Sequence, residues 1–170
     1  KSGSKLNGYI IIGPKCKVGG EVSSTIFHGF SNKVHDGFIG NCYIGEWVNL
    51  GANTNNSNLK NNYSNIKFSL PKKTIETGRK FLGAMIGDYT RIGISSMLNT
   101  GTFIGFGANI FGADFSRKHT KSFSWGRNHI VELDKFLDTC IGCSARRPNS
   151  MRRKSCAWRS AIVEGCRCRR

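Results

Sequence analysis

Ile86, Ile92, Leu98, Ile104 and Ile110 recur at every sixth position without a slip, and Gly87, Gly93, Gly105 and Gly112 each follow one of them within two residues. A period of six fits neither the ~3.6 of an amphipathic helix nor the ~2 of a half-buried strand. It is the repeat of a parallel β-helix, in which each hexad supplies one short strand and one corner. Three hexads close a triangular coil, so residues about eighteen apart stack along its axis. Ile86 is therefore expected on Ile104, and Ile26 on Ile44. In this reading the aliphatic side chains point inward as ladders, while Asp88, Thr90 and Ser95 face solvent.

The same phase runs upstream with one irregularity. Ile12-Gly13 and Val18-Gly19 are six apart, but Ile39-Gly40, Ile44-Gly45 and Leu50-Gly51 follow at five and six, so one corner is a residue short. With 21 Gly, only three Pro and 21% charged residues, long helices are not expected. Gly and Asn tolerate positive φ, and a chain carrying them throughout must turn often. The period vanishes between Asn53 and Phe81 in an amide-rich stretch, which predicts a loop over about 56–81 with a short hairpin near 66–68. A loop of that length inside a compact repeat is usually functional. Ile130, Leu133, Phe136 and Leu137 have helical spacing, predicting a helix over 127–139 that caps the open end of the coil.

Charge is distributed unevenly. The chain carries 26 Lys+Arg against 10 Asp+Glu, which taken whole points to nucleic acid or another anionic surface. Residues 140–170 hold nine of the basic residues, one acid (Glu164) and five of the seven Cys. No aromatic platform is interleaved with basic residues in the body, so a nucleic-acid partner is not expected. The pairs Cys140/Cys143 and Cys166/Cys168 suit tetrahedral zinc poorly, because the second is one residue apart and no His follows. Codon degeneracy allows 140–163 to be reread in a shifted frame as an acidic amphipathic string. Residues 140–170 are therefore read as a non-native, frameshifted tail. No apolar run approaches the ~20 residues that span a bilayer, so no membrane is expected. Lys1 opens the chain with neither Met nor a signal-type core, so a fragment lacking its upstream part is expected. Cys16 and Cys42, one at a time in the body, suit a reducing cytoplasm.

The segment from Ser31 to Asn58 contains His35-Asp-Gly-Phe38-Ile-Gly40 and Leu50-Gly-Ala-Asn-Thr-Asn-Asn-Ser-Asn58. With Thr77-Gly78, Ile86-Gly87-Asp88, Asn99-Thr100-Gly101-Thr102, Ala108-Asn-Ile-Phe-Gly112 and Ser122-Phe-Ser-Trp-Gly126, it resembles the acetyltransferase half of bifunctional enzymes. These are the N-acetylglucosamine-1-phosphate uridylyltransferase/glucosamine-1-phosphate N-acetyltransferases, and the likeness, closest to their divergent branch, covers about residues 5–126.

The resemblance implies a left-handed parallel β-helix, all-β apart from a short C-terminal helix, working as a homotrimer on small molecules. It implies acetyl-CoA as acyl donor, a glucosamine-1-phosphate-like acceptor, and Mg only for the preceding nucleotidyltransferase domain. His35 matches the catalytic base, Asn49 and Asn58 the substrate-contacting amides. Arg91, Arg117 and Lys118 are candidates for the CoA phosphates. Two residues depart from the better-known members, which carry Tyr where this chain has Phe38 and Lys where it has Ser23. Lys33, Lys5 or Lys67 are then the candidates to meet the substrate phosphate. His28, His119 and His129 lie outside these motifs and are read as structural. Asn49 and Asn58 equally suit stacked corners, and a catalytically silent, trimerising β-helix that regulates a nucleotidyltransferase is the alternative reading. Phe27, Phe30 and Trp47 are expected on exposed faces that pair between subunits.

Overall fold

A computed structural model describes residues 1–70 and 73–145. A first compact unit, Lys1–Val131, is a β-solenoid of about seven turns, the stacked-coil architecture expected of a left-handed β-helix. Three parallel faces run along it. The six-strand face stacks Ile11–Ile12, Ile26–Phe27, Tyr43–Ile44, Met85–Ile86, Phe103–Ile104 and His119–Thr120. The seven-strand face stacks Lys17–Val18, Asn32–Lys33, Asn49–Leu50, Arg91–Ile92, Asn109–Ile110 and Ser124–Trp125, with His129–Ile130 antiparallel at its end. The three-strand face holds Lys5–Asn7, Glu21–Ser23 and Phe38–Gly40. Asn55–Asn56, paired with Met97–Leu98, carries that side of the triangle onward.

Ile86 stacks on Ile104 and Ile92 on Ile110, eighteen residues apart as the hexads require. Upstream the coils are shorter, and there the expected pairing of Ile26 with Ile44 is corrected. Ile26 lies against Tyr43, and Phe27 against Ile44, seventeen residues on. A one-residue shift in a strand exchanges its faces. Phe27 is thus core at 1% exposure while Ile26 points outward at 38%.

A second regularity accompanies the inward side chains. The residue two positions before most of them is small and buried: Thr25, Ser31, Cys42, Thr54, Ala84, Thr90, Ser96, Thr102 and Ala108. The chain bends into its next strand there, and a large side chain would collide with the coil above. The hydroxyls remain satisfied, because Ser31 Oγ donates to the Gly45 carbonyl at 2.7 Å and Thr90 Oγ1 to the Gly105 carbonyl at 2.9 Å. Thr90, expected on the outside, is therefore part of the interior.

Phe30, Trp47, Tyr89 and Phe123 occupy one corner with φ of 55°, 60°, 59° and 61°. The left-handed conformation costs an ordinary residue about 1–2 kcal/mol. Stacking offsets it: Phe30 and Trp47 lie face to face at 4.6 Å, Trp47 and Tyr89 at 6.1 Å, and Phe106 bridges Tyr89 to Phe123. Trp47 is buried by this stacking and Phe27 by its register, and neither forms the exposed surface expected of it. Among the apolar side chains that do face out, Ile11, Ile26, Tyr43 and Met85 form one row on the six-strand face.

After Asn56 the chain leaves the coil, forms an antiparallel hairpin of Lys67–Leu70 with Lys73–Glu76, and returns at a Leu59–Phe81 bridge. Buried Ile66 and Phe68 fasten it, Phe68 meeting Phe103 edge-on at 6.0 Å. The helix begins later than expected. His129–Ile130 pairs with Ser124–Trp125, and the Val131 N–H donates to the Phe123 carbonyl at 2.7 Å, which keeps these residues extended. The second unit starts at Glu132, and its helix is Leu133–Ala145. That helix takes up the first residues of the segment read as a frameshifted tail, and 146–170 lie outside the described residues. Among the described residues no helix is long and apolar enough to cross a membrane, and no group of three or more His, Cys, Asp or Glu is placed to hold a metal.

The register makes a direct prediction. Phe27→Ala is expected to lose about 3–5 kcal/mol and Ile26→Ala less than about 1 kcal/mol, read from urea unfolding; equal losses would contradict the pairing. Buried Cys42 makes a second. Its thiol donates to the Gly40 carbonyl and accepts the Ala84 N–H, and burial pushes it up to about 12 from 9.0. Well below pH 9.0 it is neutral folded or unfolded. Above that only the unfolded chain ionises it, so stability drains away as pH climbs toward the folded value. Wild type should therefore lose more stability than Cys42→Ala as pH rises past about 9, measured as the difference in urea midpoints.

Candidate functional site

His35 sits at the corner joining Asn32–Lys33 to Phe38–Gly40, with its side chain exposed. The corner's backbone is tied on both sides. The Asp36 carbonyl accepts the Asn53 N–H at 2.8 Å from the next coil, and the Gly37 carbonyl accepts the Glu21 N–H at 3.2 Å from the previous one. The imidazole itself has no hydrogen-bond partner among the described residues, so it is available to a ligand.

Asn49 faces outward on the seven-strand face, one rung from Asn32, whose Nδ2 donates to Asn49 Oδ1 at 3.5 Å. Its neighbour on the other side is Arg91. The row Lys17, Asn32, Asn49, Arg91, Asn109 is polar throughout. Two residues assigned to different ligands, Asn49 to the sugar and Arg91 to CoA, thus share one strip of surface.

Asn58 lies at a different corner, where the loop departs. Its Nδ2 donates to Asn41 Oδ1 at 2.7 Å, and its carbonyl accepts the Leu82 N–H at 2.9 Å. Gly40 opens the space between it and Phe38: a Cβ there would stand 2.5 Å from Phe38 Cζ and 2.8 Å from Asn58 Nδ2. The Phe38 ring and the Asn58 amide therefore meet over bare backbone, one offering an apolar face and the other a donor. Asn55 and Asn56 repair the ladder beside them. Asn55 Oδ1 accepts the Phe38 N–H at 2.7 Å, while Asn56 accepts the Gly40 N–H at 2.7 Å and donates to the Gly40 carbonyl at 3.0 Å. The amide-rich motif is thus largely structural, its side chains standing in for the main chain.

The cationic candidates scatter. Lys33, expected at the substrate, is corrected: it points into the solenoid and is fully buried. Burial holds its ammonium below the usual lysine value, against a pull the other way from Asp36. It occupies an inward position because it follows Asn32, which faces out. Lys67 is paired with Glu76 at 2.6 Å on the hairpin, and Lys5 is exposed on the first coil. Lys118 is half-buried and held below the lysine norm by burial, then by Lys60. Arg117 lies elsewhere, in a cleft of about 310 Å³ at the last coil that it shares with Ser116, His119, Lys121, Arg127 and His129. Ser116 Oγ and His119 Nε2 are buried there without partners among the described residues. The hexad period ends at Gly112, so although Arg117 was a candidate cation, no repeat in the sequence marked this cleft. His119 stacks on Phe103 at 5.4 Å, and His28 Nε2 lies 2.7 Å from the Tyr43 hydroxyl.

A stacked-coil solenoid of hexads, with an extruded loop and an exposed imidazole on a backbone-tied corner, defines the class. Over 110 residues the chain is 36% identical to a bifunctional sugar-1-phosphate nucleotidylyltransferase/acetyltransferase of Sulfurisphaera tokodaii, covering 64% of this chain and 27% of that protein. Over 85 residues it is 32% identical to the bifunctional protein GlmU of Methanocaldococcus jannaschii, covering 50% of this chain and 21% of that protein. The chain thus spans about a quarter of the length of the curated relatives it matches. No protein-family model matches it. Among solved structures, a single-substitution mutant of AntD, an N-acyltransferase from Bacillus cereus in complex with dTDP and coenzyme A, superposes with a TM-score of 0.40 at 12% identity, covering 81% of this chain and 88% of that one.

The repaired ladder can be tested apart from any activity. Asn56→Ala leaves the buried Gly40 N–H and carbonyl without these partners, at about 1–3 kcal/mol each, whereas Asn58→Ala removes one half-exposed contact and should stay within about 1 kcal/mol. Thermal or urea unfolding ranks the two, and the reverse order would contradict a structural role for Asn56.

Proposed function

We propose that this chain is the acetyl-CoA-dependent N-acetyltransferase unit of a larger sugar nucleotidyltransferase/acetyltransferase. Its acceptor is an amino-sugar 1-phosphate of the glucosamine-1-phosphate type, on the route to UDP-N-acetylglucosamine. The observation that carries this is His35: an exposed imidazole on a fixed corner, in a chain whose relatives are acetyltransferases.

The chemistry follows from that placement. The sugar amine attacks the thioester carbonyl, forming the C–N bond, and His35 takes the proton the nitrogen sheds. The tetrahedral intermediate collapses, the C–S bond breaks, and the CoA thiolate recovers a proton from the imidazolium. Imidazole suits the task because it titrates near neutrality. Asn49 and Asn58 bind hydroxyl and amide groups without competing for the proton, and Arg91, on the rung beside Asn49, meets a CoA phosphate, with Arg117 and Lys118 as further candidates. Phe38 gives the sugar an apolar floor in place of a phenolic hydroxyl.

The working assembly in this reading is a homotrimer. The outward row Ile11, Ile26, Tyr43 and Met85 supports it, since an apolar strip of this kind is stabilised by a neighbouring copy. His35 stands in the open on one protomer, and a neighbour would supply the second wall that holds acetyl-CoA.

Incubation with acetyl-CoA and glucosamine 1-phosphate, following free thiol, tests the proposal. Turnover is expected, with kcat/KM falling about 10²–10⁴-fold in His35→Ala while the oligomer measured by light scattering is unchanged. Absence of thiol release across a panel of amino sugars would leave the silent-scaffold reading in its place.

A further inference from the structure

We infer that Lys33 is the positioning residue of His35, a buried cation that fixes the main chain from which the imidazole projects.

Lys33 stacks on Val18 and, one rung on, beside Leu50, in a column continued by Ile92 and Ile110. An aliphatic side chain is what this column otherwise carries. The Lys33 ammonium instead crosses the coil toward the corner, where Nζ donates to the His35 carbonyl and, at 3.2 Å, to the Gly19 carbonyl. It has no carboxylate within salt-bridge distance among the described residues. Room for it exists because Gly20, at φ +71°, has no side chain: a Cβ there would lie 2.9 Å from Lys33 Nζ and 2.9 Å from the His35 oxygen. Cation and glycine therefore form one fitted pair beneath the histidine.

The consequence for His35 is specific. Of the three successive carbonyls in the corner, those of Asp36 and Gly37 are held by main-chain N–H groups of neighbouring coils, whereas that of His35 is held by Lys33. Without the ammonium the His35 peptide is the one link of the corner free to rotate. A base that meets its proton in the transition state depends on placement, and ~1 Å of misplacement is enough to slow a reaction by about 10²-fold.

The kinetic arm of the test rests on the acetyl-transfer reading; the spectroscopic arm does not. In Lys33→Met, which keeps length and fits the aliphatic column, the carbonyl ¹³C resonance of His35 should move and the Asp36 amide, on the same peptide, should exchange faster, while other core amides hold. With acetyl-CoA and the amino sugar, kcat should fall about 10–100-fold with both KM values within about two-fold. Lys33→Leu is the second aliphatic variant should Met fail to fold, and Gly20→Ala, which crowds the ammonium without removing it, should reproduce both effects in part. An unmoved His35 carbonyl in Lys33→Met would overturn the inference, as would a loosened corner with unchanged kcat. If wild type releases no thiol, the acetyl-transfer reading fails while the resonance still decides whether Lys33 holds the His35 peptide.

Discussion

Every coil of this solenoid must return to its starting edge within about three hexads, and that closure requires one side chain from each hexad to point at the axis. The interior is then too narrow for more than a ladder on each face. Ile44, Ile86 and Ile104 form one such ladder, Leu50, Ile92 and Ile110 another, and the small residue two positions before each except Leu50, which Val48 precedes, lets the main chain bend without collision. Burial of these aliphatics is the dominant favourable term, at about 25 cal/mol per Å² of apolar surface. The parallel ladders pair backbone groups from coil to coil, so few are left for water or side chains to satisfy.

Against that rule the exceptions stand out as locations. Lys33 and Asn56 both occupy inward positions, and both lie on the coils that carry His35 and Asn58. Asn56 compensates for a coil where the main chain is about to leave, its amide imitating a peptide on the Gly40 edge. Lys33 compensates for nothing in packing terms. Local rules broken inside an otherwise consistent repeat tend to coincide with function, and two of the polar inward residues surround the same motif, the third among the described residues being Thr120 on the last coil.

What the sequence disclosed follows the same division. The hexad period of Ile86 to Ile110 is strict, and the stacking there matches it; the loop was legible because period and apolar content stop together at Asn53. Register upstream was not, because corners can shed a residue without disturbing the aliphatic count, and only the pairing of Phe27 with Ile44 reveals where the shortening falls. The aromatic corner was hidden for a different reason: positive φ is expected of Gly and Asn, yet Trp47 and Tyr89 adopt it because stacking and burial outweigh the local strain. His35, Asn49 and Asn58 were legible as a motif. Their arrangement on one protomer was not, since it depends on which face each residue takes, and that is also why Lys33 was misassigned to the surface. The helix start slipped because apolar spacing in 127–132 does not register the ladder bonds that hold those residues extended.

The energetics of Lys33 sharpen the point. Removing an ammonium from water carries an effective penalty of several kcal/mol, while hydrogen bonds from a charged donor return about 1.5–3 kcal/mol each. The Gly19 and His35 carbonyls thus bring the balance to roughly zero, and an apolar side chain of equal length would serve stability as well or better. A residue that adds nothing to the free energy of folding, is hidden from solvent and cannot reach a ligand has one property left: it dictates the conformation of the peptide it grips. That peptide belongs to His35. In a fold whose other corners are held by main-chain bonds and by hydroxyl or carboxylate side chains such as Ser31, Thr90 and Asp88, a fixed imidazole is a sufficient physical reason for a cation in the core.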